Sequence, residues 1–215
     1  IRALLPLTVR FLNPITVNGN SALIIGVNSP VVNDENSGQA HMNVEGPLVG
    51  AGNLTLNPAA GGLSNPGAYR LRLLTDNTGL TGTLTVDSGN VDVGDEGGTN
   101  NVGTLNSGPL VVNGTLWFNR RDAQAFTNTA SGTGRTVIHN NEPMTFDGNA
   151  FGGGNLDVAH GSLRLTNGAS ILLSQDLTVC TKDRQPDLNT LAAEVTFPEG
   201  RSEEHTSELQ SRSDL

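Results

Sequence analysis

One five-residue unit recurs along this chain and limits what it can become: a glycine followed by apolar residues at two alternate positions. It stands at Gly52, Leu54, Leu56; Gly82, Leu84, Val86; Gly89, Val91, Val93; Gly108, Leu110, Val112; Gly114, Leu116, Phe118; Gly154, Leu156, Val158; and Gly161, Leu163, Leu165. Alternation places both apolar side chains on one face of an extended strand, because successive Cβ atoms point to opposite sides. Gly82 with Gly89, Gly108 with Gly114 and Gly154 with Gly161 form tandem pairs, each reading as strand, bend, strand around one core. Twenty-six residues separate Gly82 from Gly108 and 46 separate Gly108 from Gly154, room for two turns of 23. Short apolar runs at 14–17, 22–27, 136–139, 144–146, 171–173 and 195–197 fill the gaps, and 187–194, DLNTLAAE, is the one stretch with helical character.

Two architectures use many short strands with glycine bends: hairpins closing a sandwich or barrel, and a coil in which each strand pairs with its counterpart one turn later. Asn-Gly steps at Asn18, Asn113 and Asn167 suit hairpins. Recurrence suits the coil, because nearly interchangeable Leu, Val and Ile residues would stack as buried ladders. With a period in the twenties, the expectation is on the order of eight rungs and a rod on the order of 40 Å long.

Composition supports many strands and turns. Of 215 residues 27 are glycine, 15% are charged and 4% aromatic, with Lys182 the single lysine. A net charge of -9 and no basic cluster disfavour a nucleic-acid partner, which needs a basic face, and none is expected. Cys180 stands alone, so no intrachain disulfide or cysteine metal site can form; it reads as a small buried residue. No apolar stretch reaches membrane-spanning length.

The sequence begins at Ile1 without an initiator methionine or signal peptide, and is read as a fragment with open ends. At its other end, residues 201–211, RSEEHTSELQS, resemble a translated sequencing adapter. The chain therefore divides into a repeat segment, 1–200, and a non-native tail, 201–215, expected to be unstructured or a short helix.

Residues 50–56, GAGNLTL, and 80–94, LTGTLTVDSGNVDVG, resemble the autotransporter-associated β-strand repeat of bacterial surface passengers, with further copies at 104–118 and 152–165. DNTGLTG at 76–82 stands where that repeat has Asn-Thr-Tyr-Thr-Gly. The tyrosine is missing, and the insert 57–73 is longer than usual. The resemblance implies an all-β fold, a right-handed parallel β-helix (β-solenoid), carried to the cell surface across the outer membrane by a downstream β-barrel. In that family the repeats are scaffold and carry no catalytic residues, and no cofactor is implied.

Chemistry-bearing residues are few. Asp92, Asp95 and Glu96 form the densest acidic group beside Asp87. Alternation with Val91 and Val93 directs Asp92 to solvent, and the turn DEGGTNN supplies oxygen ligands of the kind calcium needs. Trp117 with Arg120 and Arg121 is a candidate carbohydrate- or partner-binding patch, unless Trp117 caps the core. His41, His139, His160 and His205 show no metal-binding spacing. His160-Gly161 resembles one element of the polygalacturonases, whose other motifs are absent. The expected function is a non-enzymatic stalk or passenger segment, adhesive in character, with a cell-surface or carbohydrate partner and a tendency to self-associate through its open ends. The alternatives are a carbohydrate-active β-helix (polysaccharide lyase, glycosidase or tailspike-like), marked by carboxylates and a basic residue along one groove, and a calcium-stabilised adhesin.

Overall fold

A computed structural model describes residues 8–24, 40–58, 69–95, 103–140, 142–179 and 193–196. Among these the chain is all-β, with parallel strands in long sheets, the arrangement expected of a β-solenoid. Among the described residues every strand pairing is parallel, so the Asn-Gly steps close no hairpin there. No described helix is long and apolar enough to cross a membrane. Residues 193–194 open a strand, while 187–192, Cys180, Glu96 and the 201–215 tail lie outside the described residues.

The chain visits three faces in turn. The long sheet collects β1 (Thr8–Phe11), β4 (Ala40–Val44), β7 (Tyr69–Leu73), β9 (Asn90–Val93), β11 (Thr115–Phe118), β14 (Arg135–His139), the first half of β17 (Asn155–Thr166) and β19 (Leu177–Val179). A second, seven-stranded sheet collects β3 (Ser21–Ile24), β6 (Leu54–Asn57), β8 (Leu84–Val86), β10 (Leu110–Val112), β13 (Ala130–Ser131), β16 (Ala150–Gly153) and β18 (Ser170–Leu173). On the third face lie β2 (Ile15–Thr16) with β5 (Leu48–Val49), then β12 (Gln124–Phe126), β15 (Met144–Asp147), the second half of β17 and β20 (Ala193–Thr196). β17 turns the corner at Gly161, whose φ of 87° is left-handed. That bend joins the long sheet to the third face, giving eleven strands in all.

Stacking aligns like residues. Leu54, Leu84, Leu110 and Ala130 form one inward ladder, continued by Phe151 and Ile171. Leu71, Val91, Leu116, Thr136 and Leu156 form another. Each fully buried leucine contributes about 2 kcal/mol, so the ladders are the main source of stability. Phe126 lies 4.9 Å from Phe146, and Phe146 stacks on Phe151 at 5.0 Å, an aromatic cluster in the core between the second sheet and the third face.

The repeat length differs from the expected 23. Early turns carry insertions, with Thr8 over His41 and Leu54 over Leu84, but from β11 onward the turn settles: Thr115 over Arg135 over Asn155, a step of 20 residues each time. Gly154 accordingly stacks on Gly134 and Gly114, not on Gly108. The third tandem pair therefore spans the long sheet and the third face, whereas the first two span the second and long sheets. Gly134 escapes the glycine pattern because the inward position after it holds Thr136, buried under Leu116.

Candidate functional site on the outer face of the long sheet

Outward positions of the long sheet carry large and charged side chains. In one file Arg72, Asp92, Trp117, Val137 and Asp157 lie over one another; in the next, Arg70, Asn90, Thr115, Arg135 and Asn155. Strand alternation directs these residues away from the core, and that much the sequence predicts. It does not predict burial. Asp92 is 2% exposed and Trp117 7%, with Arg70, Val137 and Asp157 also buried. The solvent-facing assignment of Asp92 is therefore corrected. An outward position is dry when the neighbours above, below and diagonal are long enough to cover it.

Charge is matched inside this layer. Arg70 Nη1 donates to Asp92 Oδ2 at 2.7 Å, reaching diagonally to the next rung. Arg135 Nε donates to Asp157 in the same diagonal relation. Both carboxylates belong to near-identical segments, Gly89-Asn-Val-Asp-Val93 and Gly154-Asn-Leu-Asp-Val158, and each follows a rung with an arginine. Trp117 lies between the pairs, with the guanidinium of Arg70 5.7 Å and that of Arg135 6.0 Å from its ring centroid. Cation–π attraction at such distances adds about 1 kcal/mol per contact, more when desolvated. The layer is a clamp of two ion pairs closed over one indole.

The candidates separate accordingly. Asp92 faces Arg70, and Arg72 stands between Asp92 at 4.0 Å and Asp95 at 3.5 Å, so of the three calcium candidates the two that are described both face guanidinium groups. A cation there would have to displace arginine. Among the described residues no group of three or more His, Cys, Asp or Glu side chains is gathered to hold a metal ion. Arg120 is buried and bidentate to Asp122, at 2.8 and 2.7 Å, which holds the Asp122 carboxyl below its usual range. Arg121 is exposed. Trp117 stands outside the apolar core cluster and packs with Arg70 and Arg135, cations that the expected patch did not include. His160 stacks edge-on to His139 at 5.3 Å, beside a register irregularity after Ile138.

Buried asparagines are the polar feature that strand alternation passes over. In the DNTGLTG step, Asn77 is fully buried: its Oδ1 accepts from Leu48 N–H and its Nδ2 donates to the carbonyls of Thr75 and Thr104. Asp76 beside it accepts from Thr78 N–H and the Thr104 hydroxyl, which lowers its pKa. Further along, Asn149 Nδ2 donates to the Asn128 carbonyl, and Asn128 Nδ2 to that of Asn106. These amides give turn carbonyls a side-chain donor, and the Thr75 carbonyl accepts the Thr104 N–H as well. Their 22- and 21-residue spacing was the available signal.

No protein-family model, curated protein or solved structure matches this chain.

Proposed function

We propose that the chain is a right-handed parallel β-helix acting as a non-enzymatic stalk, a passenger segment of an autotransporter-like bacterial surface protein with an adhesive role. Right-handedness follows the strong preference of parallel crossovers. The observation that carries the scaffold reading is the use of outer-face charge. Asp92 and Asp157 each face an arginine, and the register places them three rungs apart, about 14 Å at the spacing of parallel strands. Paired carboxylates in sugar hydrolysis stand roughly 5 to 9.5 Å apart. Export would use a downstream outer-membrane β-barrel. Ile24 and Leu172 point outward from the first and last strands of the second sheet, Leu172 at 80% exposure, which suits end-to-end association of copies or of neighbouring segments.

The test is export itself. Fused between a signal peptide and an outer-membrane barrel, the chain should reach the cell surface and be shaved by added protease; retention in the periplasm would overturn the reading. A carbohydrate-active β-helix is the second reading, favoured by an indole flanked by guanidinium and carboxylate groups. Release of reducing ends or unsaturated uronides from polysaccharide, abolished in Asp92→Asn, would replace the first reading by the second.

A further inference from the structure

The three Asn-Gly steps occupy three different mechanical settings. Each carries a latent reaction. The glycine backbone nitrogen, on losing its proton, attacks Cγ of the asparagine side chain; a C–N bond closes a succinimide ring and ammonia leaves. Water then opens the ring at either carbonyl, giving aspartate or isoaspartate. The ring closes only where the peptide can turn its nitrogen towards Cγ, so a fold selects among identical sequences through the cost of local opening.

Asn113-Gly114 is locked. The N–H groups of both residues donate to the Val86 carbonyl, at 2.8 and 3.0 Å, and the attacking nitrogen is thereby engaged. Gly114 is also sandwiched: a Cβ added to it would come within 2.9 Å of the backbone of Ser88 and Gly89, and its own carbonyl oxygen would lie 2.1 Å from a Cβ added to Gly134. Asn167-Gly168 is held differently. Asn167 sits at a φ of 52°, its Nδ2 donates to Asp147 Oδ1, and that carboxylate opposes a second negative charge forming at the Gly168 nitrogen. Asn18-Gly19 has neither hydrogen-bond restraint, although the Gly19 nitrogen and carbonyl lie against Gly52, where an added Cβ would come within 2.5 and 2.4 Å of them. It lies exposed in the bend between β2 and β3, neither the Asn18 side chain nor the Gly19 N–H has a hydrogen-bond partner among the described residues, and a Cβ on Gly19 would meet nothing within 4 Å.

We propose that Asn18-Gly19 is a site of spontaneous backbone modification, converting to aspartate and isoaspartate while Asn113-Gly114 is protected by the fold. The product places a new carboxylate, and in the isoaspartate form an extra backbone methylene, two residues before the Asn20 that accepts from Asn53 Nδ2 at 3.0 Å. The rung-to-rung contact it disturbs is therefore in the first bend rather than in the 20-residue stack.

The full chain would be aged in mildly alkaline buffer, folded and in urea, and mapped by peptide mass and isoaspartyl methyltransferase labelling. In the folded protein Asn18 should convert at least about tenfold faster than Asn113, tenfold being ~1.4 kcal/mol of opening cost; in urea the steps should converge. Gly19→Ala, whose methyl group has space, should leave the melting temperature unchanged and slow conversion at Asn18 alone. Equal rates at Asn18 and Asn113 in the folded chain would overturn the proposal, as would an Asn18 slowed by folding as strongly as Asn113.

Discussion

Asp92 shows how much one residue's neighbours decide. Alternation places it outward, and that held; a position between Trp117 and Arg72, with Arg70 reaching across, makes it a buried ion-pair partner. Asp92→Asn keeps the shape and removes the charge, leaving Arg70 buried without its counter-ion. It should cost about 2 to 4 kcal/mol in urea unfolding, close to the loss seen when one member of a buried pair is removed; a change below about 0.5 kcal/mol, typical of surface substitutions, would return Asp92 to solvent. Three other carboxylates make a separate prediction. Asp76 is lowered by the Thr78 N–H and the Thr104 hydroxyl, Glu45 by its hydrogen bonds with Arg10, and Asp122 by those with Arg120. A folded pKa below the unfolded one contributes stability that is fully present above the unfolded value and is lost as pH falls through the folded value. Calorimetry should therefore find a melting temperature that is flat above about pH 5 and declines below about pH 4, with a shallower acid decline in Asp76→Ala. An identical acid slope in that variant would contradict the role given to Asp76.

Among the elements, strands and bends were legible and their phase was not. The alternation at Leu84–Val86, Asn90–Val93 and Thr115–Phe118 encodes strands whose inward residues are those the pattern names. The turn length was obscured by one residue, Thr136, whose hydroxyl hides an inward position and with it the Gly114, Gly134, Gly154 column. The outer clamp was half legible: the repeated Gly-Asn-x-Asp-Val segment is visible, but the arginine that answers each aspartate lies 22 residues earlier and is found only with the register. The buried asparagines were hidden because Asn in a Gly-rich stretch ordinarily signals an exposed turn. The column makes its own prediction. A Cβ on Gly134 would lie 2.1 Å from the Gly114 carbonyl oxygen, backbone that two stacked rungs hold in place. Gly134→Ala should destabilise by about 1 to 3 kcal/mol, as overpacking does; an unchanged denaturation midpoint would mean that these rungs are not stacked in the described register.

At the scale of the whole molecule, the sheets, the ladders and the outer clamp depend on one claim, that the chain returns to the same face once per turn. The register carries Thr55 through Thr85 and Val111 to Ser131, Gly152 lies beside Ser131 one position after the Ala130–Phe151 pair, and Gly152 pairs with Leu172, five parallel steps along the outer side of the second sheet. Five steps span about 24 Å at the spacing of parallel strands, although 116 residues of chain, 56–171, lie between the ends. Spin labels at Thr55→Cys and Leu172→Cys, in a Cys180→Ser background, measure that distance by pulsed electron resonance. A single narrow population corresponding to a backbone separation of about 24 Å is predicted; a distribution without a peak, or one centred at roughly twice that separation, would contradict the coil.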